Sequence, residues 1–373
     1  MDDDIRYLLL TPGPLTTSKT VKQTMLDDHC TWDDDYNSIV TDIRGRLVQL
    51  AGGGDLTSVL MQGSGTFSVE STLGSVVPRD GKVLLVNNGA YGKRLGQICD
   101  RLAIPTHVME LPEVEPADAQ QIDAALSADD SITHVAVVHC ETTTGMLNPV
   151  EAIGQVVKQH GRTYIVDAMS SFGGIPMTMD SLQADFLVSS ANKCIQGVPG
   201  FGFVIARRAE LEQTAGRARS LSLDLFDQWH EMETKNGKWR YTSPTHVVRA
   251  FQQALNELDD EGGVEARHAR YCENHRILIQ GMQQLGFDPL ISADLRSPII
   301  TSFCFPTDPK FEFQSFYNAL KAKRFVIYPG KVSVADTFRI GTIGHLFPED
   351  VELLVQAIGT VTEELGLNLC GQP

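Results

Sequence analysis

Short, almost continuously apolar runs alternate with longer stretches that are apolar on one side only. The runs at 58–61, 83–86, 135–138, 164–166 and 186–188 are too short for helices and lack the polar-apolar alternation of a half-exposed strand. They predict strands buried on both faces. Between them, 67–77, the stretch through Leu95 and Ile98, and the stretch carrying Ile153, Val156 and Val157 repeat at helical spacing. Strands that alternate with amphipathic helices predict an α/β fold, a mostly parallel sheet covered by helices. Most of these runs open into a polar or glycine-rich turn. The turns are Gly63-Ser64-Gly65-Thr66, Asn87 to Gly92, His139 to Gly145, Asp167, and Ser189 to Lys193. In such a sheet they gather at the carboxyl edge, where open α/β folds bind ligands.

The flanks are read the same way. Residues 7–10 form an apolar stretch that ends in the rigid turn Thr11-Pro12-Gly13-Pro14. Ser18 is a predicted N-cap for the helix carrying Val21 and Met25, and Asn148 a predicted N-cap ahead of Pro149 and Glu151. After 206 the periodicity lapses until Val247, Phe251, Leu255 and Leu258 come into register. Glu261-Gly262-Gly263 interrupts that block, a second helix covers 264–285, and short strands at 299–305, 326–328 and 338–340 follow. The pattern predicts an N-terminal arm over 1–20, a large domain over 21–262 and a smaller C-terminal α/β domain over 263–373.

Length and charge narrow the partners. With 373 residues the chain can build two cores, and 42% hydrophobic with 21% charged residues is an ordinary globular balance. A formal charge of -16 argues against nucleic acid and anionic membranes, and an anionic ligand needs a locally positive seat. The start Met1-Asp2-Asp3-Asp4 is acidic where a secretory leader is basic, and no run approaches the roughly 18 apolar residues of a membrane span. Seven scattered cysteines without a Cys-x-x-Cys pair suggest neither a disulfide framework nor a zinc site. They point to a reducing, cytoplasmic setting and to no metal.

Lys193 follows the run at 186–188 and precedes another at 203–206. A loop lysine taken alone is ordinarily a surface residue. One held between buried strands is desolvated, which lowers its pKa and prepares it to form a Schiff base with an aldehyde. Asp167 ends the strand-like run before it. Alone it could be a turn or cap residue; with Lys193 it completes a pyridoxal phosphate site, its carboxylate keeping the pyridine nitrogen protonated. Ser64, Gly65 and Thr66 stand between strand and helix, where N–H groups, hydroxyls and the helix dipole favour a phosphate, although a plain tight turn would read alike. Tyr91 could stack on a planar ring, and Thr142 and Asn192 could bond its oxygen. Arg339, amid apolar strand residues, could form a structural salt bridge or a bidentate clamp for a carboxylate or phosphonate.

These residues, together with the blocks Glu141-Thr142-Thr143-Thr144-Gly145, Val166-Asp167-Ala168-Met169-Ser170-Ser171-Phe172-Gly173-Gly174 and Lys238-Trp239-Arg240-Tyr241-Thr242-Ser243-Pro244, span nearly the whole chain. They resemble the class V aminotransferases, fold type I pyridoxal phosphate enzymes, and within them most nearly the 2-aminoethylphosphonate–pyruvate transaminases. The resemblance implies Lys193 as the Schiff-base lysine, Asp167 at the pyridine nitrogen, and Ser64, Gly65 and Thr66 at the phosphate. It further implies Tyr91 against the ring, Thr142 and Asn192 near the ring oxygen, and Arg339 at the substrate anion. Thr242 would reach the phosphate of a neighbouring subunit, making a homodimer with shared sites. The implied reaction passes the amino group of 2-aminoethylphosphonate to pyruvate. The alternatives are an amino-acid transaminase of the same class, such as alanine–glyoxylate or serine–pyruvate, and a non-catalytic regulator that binds pyridoxal phosphate. A cysteine desulfurase would need a mobile-loop cysteine, and Cys304 sits in a strand-like run.

Overall fold

The computed structural model describes residues 6–369, so the acidic run Asp2-Asp3-Asp4 and Cys370 lie outside the described residues. The five apolar runs become five strands of a seven-stranded sheet. In spatial order these are Leu56–Gln62, Phe201–Arg207, Phe186–Ser190, Thr163–Asp167, Ile132–Val138, Lys82–Asn87 and Thr106–Glu110. The last five run parallel. Phe201–Arg207 is antiparallel to both of its neighbours, which leaves Leu56–Gln62 pointing with the parallel set. Helices pack against the sheet, so Val83 to Val86 and Val135 to Val138 are buried throughout, as strands without alternation must be.

Several elements had no signal in the apolar pattern, among them an edge strand and a helix. Thr106–Glu110 is an edge strand paired on one side, with Val108 partly exposed, and an edge strand needs no continuous apolar run. The helix Leu225–Thr234 falls where the periodicity lapses. The cap at Ser18 forms, its side chain accepting from the Val21 N–H at 3.1 Å. The cap at Asn148 does not. Pro149 takes the cap position of the helix Val150–Gln159, and the Asn148 amide instead donates to the Val138 carbonyl at 2.8 Å and accepts from Asn88 at 2.7 Å and the Ala117 N–H at 2.9 Å. It thus ties strand-end loops together beside the site.

The helix Thr245–Glu261 ends at Gly262, whose φ of 106° is the left-handed conformation glycine adopts without strain, and Gly263–Gln284 follows. Beyond it an antiparallel sheet places Thr337–Gly341 between Ile300–Cys304 and Tyr328–Pro329. Phe287, Phe303, Phe316 and Phe338 fill its core together with Leu8 and Leu10, because Leu8–Leu9 pairs with Phe325–Val326. The first residues of the chain are therefore packed with the C-terminal ones, whereas the large sheet's core is drawn from 21–258. Among the described residues no helix is long and apolar enough to cross a membrane.

Candidate active site

The polar turns do meet at one edge of the sheet. Asp167 is the last residue of its strand and pairs in register with Val188 of the next, five residues before Lys193. The Lys193 Nζ donates to the Pro12 carbonyl at 2.6 Å. Gly13, with φ 119°, lets the N-terminal turn come this close, since a Cβ there would stand 2.9 Å from both Cδ and Nζ of the lysine. The turn at 11–14 is thus part of the site.

Burial sets the charges of the pair. It pushes the Lys193 amine down to about 8, assisted by the positive charge of Arg339 and opposed by the negative charge of Asp167. Burial also pushes the Asp167 carboxyl up to about 6, against the Met169 N–H that bonds it at 2.9 Å and the charges of Lys193 and Arg94. Each group is held near the pH where it can exchange a proton.

Ser64 is the N-cap residue of the helix Gly65–Val76 but makes no side-chain capping bond. The Phe67 N–H donates to the Ser64 carbonyl at 2.9 Å, which leaves the N–H groups of Gly65 and Thr66 for another acceptor. A Cβ at Gly65 would lie 2.1 Å from the Met169 sulfur, so any side chain there would have to displace that thioether. Arg94 brings a cation to this seat. Its Nη1 donates to the Thr66 hydroxyl at 3.2 Å, and its guanidinium lies 4.9 Å from the Tyr91 ring centre. Thr66, Tyr91, Arg94, Asp167 and Met169 border one cleft.

Thr142 is wholly buried, and among the described residues its hydroxyl has no hydrogen-bond partner. Its carbonyl accepts from Arg339 Nη1 at 2.9 Å, while Arg339 Nε donates to the Pro329 carbonyl at 3.0 Å and the guanidinium sits 5.1 Å from the Tyr328 ring centre. Among the described residues Arg339 has no carboxylate partner, which removes the salt-bridge reading. Asn192 is half-buried and accepts from the Ser190 hydroxyl at 3.2 Å. Thr242 is exposed, next to an exposed Tyr241, and joins none of these contacts.

Sequence reasoning passed over Pro12, Arg94, Met169 and Glu141. Arg94 had a signal, since it follows Tyr91 by three residues and a helix puts both on one face. Met169 also had one, two residues past Asp167. Pro12 and Glu141 had none, because their roles come from contacts across the fold.

The donor set suits pyridoxal phosphate. A hydroxyl without a partner, an amine of lowered pKa, a buried carboxylate and a helix N-terminus with an arginine are the complements of a ring oxygen, an aldehyde, a pyridine nitrogen and a phosphate.

Comparison with known proteins agrees in family and fold. The family described as Aminotransferase class-V matches residues 32–334. A 2-aminoethylphosphonate–pyruvate transaminase of Syntrophobacter fumaroxidans is 65% identical over 96% of this chain and 97% of its own. One from Vibrio vulnificus is 61% identical over 94% of this chain and 96% of its own. Among solved structures, pyridoxamine–pyruvate aminotransferase from Mesorhizobium loti superposes with a TM-score of 0.90 at 23% identity, covering 99% of this chain and 95% of that one. Alanine–glyoxylate aminotransferase from Nostoc sp. gives 0.88 at 23% identity, covering 95% of both. At that identity they speak for the fold alone.

Proposed function

The chain belongs to the class V aminotransferases, and from that premise we propose that it is a pyridoxal phosphate-dependent 2-aminoethylphosphonate–pyruvate transaminase. It converts 2-aminoethylphosphonate and pyruvate to phosphonoacetaldehyde and L-alanine. The observation that carries this reading is the identity of 65% and 61%, over nearly the full length, to relatives bearing that name.

When bound, pyridoxal phosphate supplies the aldehyde that takes up the amino group and a ring that accepts electrons as a substrate C–H bond breaks. The protein's residues do the rest. Lys193 would hold the aldehyde, and its amine, of lowered pKa, would serve as the base and acid that moves the substrate-carbon proton. Asp167 holds a proton on the ring nitrogen. Ser64, Gly65 and Thr66 would receive the phosphate with Arg94 beside them, Tyr91 and Met169 would hold the ring, and Thr142 and Asn192 would bond its oxygen. Arg339, held by two carbonyls, presents its remaining N–H groups to the substrate anion, a phosphonate in one half-reaction and a carboxylate in the other.

We also infer a homodimer with shared sites, in which Thr242 completes the partner's phosphate seat. Its exposure, and that of Tyr241 and Phe67 beside the Gly63 turn, supports this. An active monomer in light scattering would refute it. The division into 1–20, 21–262 and 263–373 stands as our reading of the domains, and a cytoplasmic location as our reading of the unpaired cysteines.

The deciding experiment compares kcat/KM for 2-aminoethylphosphonate, serine and glycine with pyruvate as acceptor. The phosphonate donor is expected to exceed both amino acids by about 100-fold or more. Serine matching it would turn the assignment to an amino-acid transaminase.

A further inference from the structure

Glu141 is a buried carboxylate that none of the steps above uses. It is shielded completely from solvent, immediately before Thr142. Its oxygens accept the Tyr91 N–H at 3.1 Å, the Gly92 N–H at 3.4 Å and the Thr143 hydroxyl at 2.9 Å. The two amides belong to the first turn of the helix Ala90–Arg101, whose N–H groups find no acceptor within the helix and whose dipole favours negative charge. The residue in the cap position, Gly89, has no side chain to offer. A Cβ there would stand 2.3 Å from the Glu141 carboxyl carbon. The cap therefore comes from another strand-end loop, the one that carries Thr142.

Among the described residues every hydrogen-bond partner of this carboxylate is neutral, an expensive way to bury a charge. The titratable groups facing it are Tyr91 on the helix, Cys140 beside it in the chain and Arg339 on the C-terminal sheet, which bonds the adjoining Thr142 carbonyl. Burial pushes its pKa up to about 7.

We propose that Glu141 is a positioning residue that, as a carboxylate, fixes the backbone of Tyr91 and so holds that ring against the bound cofactor. This rests on the placement of Tyr91 at the cofactor ring proposed above. The helix end and the Thr142 loop then move as one unit, and two contacts to the cofactor share one anchor. Protonation weakens the attraction to the two amides, so the anchor loosens as the pH falls through about 7.

The test measures the dissociation constant of the apoprotein for pyridoxal phosphate by fluorescence titration, one pH unit above and one below that point. Wild type, Glu141→Gln, Tyr91→Ala and the double variant are compared. Above it, Glu141→Gln is expected to bind about tenfold more weakly, the loss of one charge-assisted hydrogen bond in part transmitted. Below it the wild type is neutral too, and the gap should close to about twofold. In the Tyr91→Ala background Glu141→Gln should add no more than about twofold, the signature of residues acting through one another. An equal loss at both pH values, or a full loss without the Tyr91 ring, would reduce Glu141 to packing and overturn the proposal. If Tyr91→Ala weakens binding and Glu141→Gln does not, the proposal fails alone; if Tyr91→Ala has no effect, the ring contact fails with it. Hydrogen exchange of the wild-type apoprotein is a check that needs no variant. Protection of the Tyr91 and Gly92 amides, corrected for intrinsic rates, should drop below about pH 7, and unchanged protection would count against the anchor.

Discussion

At the carboxyl edge of the seven-stranded sheet titratable and polar groups are buried with bonding capacity to spare, whereas in the C-terminal sheet, where the Thr301 and Thr337 hydroxyls also lack partners among the described residues, the buried cation is already engaged. The Thr142 hydroxyl has no partner, Ser64 leaves its helix N-terminus uncapped, and Lys193 and Asp167 are both pulled towards neutrality by burial. Arg339 instead is held by the carbonyls of Pro329 and Thr142 and by the Tyr328 ring, while Phe338 and Ile340 on either side point into an aromatic core. On our proposal a bound cofactor would meet the bonding capacity the first region leaves open. The second, on the same proposal, is a rigid fork for a substrate anion, with little to gain from the cofactor. On this reading the exchange of two anionic substrates over one cofactor is divided between the two regions.

Removing the lysine tests the first region most severely. Lys193→Ala is expected to lower turnover by about 10⁴-fold or more while the fold persists, since a covalent anchor and a general acid–base group go together. Single-turnover kinetics with 2-aminoethylphosphonate would measure it, and turnover near the wild-type rate would break the comparison at its centre.

Asp167→Asn separates function from stability at the same edge. Proton abstraction should slow by about 10²- to 10³-fold, because a neutral partner no longer holds a proton on the ring nitrogen. The apoprotein should gain stability. With a folded pKa of about 6, above the ordinary carboxylate value, Asp167 favours the fold fully below about pH 4, and that contribution is lost as the pH rises through about 6. The variant is therefore expected to melt higher than wild type near pH 8, by a difference worth about 3 kcal/mol, and alike near pH 4. An equal offset at both values would mean that the carboxylate is not strained.

The same contrast explains what could be read from the chain alone. Lys193, Asp167 and Thr66 lie at the ends of continuous apolar runs, so local pattern located each of them, and parallel strands did the gathering. Thr106–Glu110 was silent because this edge strand leaves His107, Val108 and Glu110 exposed. Asn148 was misread as a cap because its sequence context is a helix start, whereas its amide is drawn away by Val138, Asn88 and Ala117. The bond of Arg339 to Thr142 joins residues 197 apart, and that of Lys193 to Pro12 residues 181 apart. No local pattern encodes such contacts.

Arg339→Lys sharpens the other side. A lysine keeps the charge but cannot bond two carbonyls and an anion in one plane. Both half-reactions should lose about 10- to 100-fold in kcat/KM, while the affinity for pyridoxal phosphate stays within about twofold. If cofactor affinity fell as far as substrate affinity, the two regions would not be separate.

The smallest effect is the most direct measure of unmet bonding capacity. Valine has nearly the shape of threonine, and in Thr142→Val a methyl group replaces a hydroxyl that is fully buried and has no partner. The Thr142 carbonyl, which holds Arg339, is untouched. In the apoprotein the change removes a desolvated polar group that returns nothing, so stability should rise by about 1 kcal/mol. With the cofactor the hydroxyl has an oxygen to bond, and its loss should weaken pyridoxal phosphate binding about fivefold. Thermal melting of the apoprotein and fluorescence titration with the cofactor read the two effects separately, and their opposite signs are the point. A valine variant less stable without the cofactor and unchanged in binding it would show that the hydroxyl serves the fold, and the edge would then hold no reserve at Thr142.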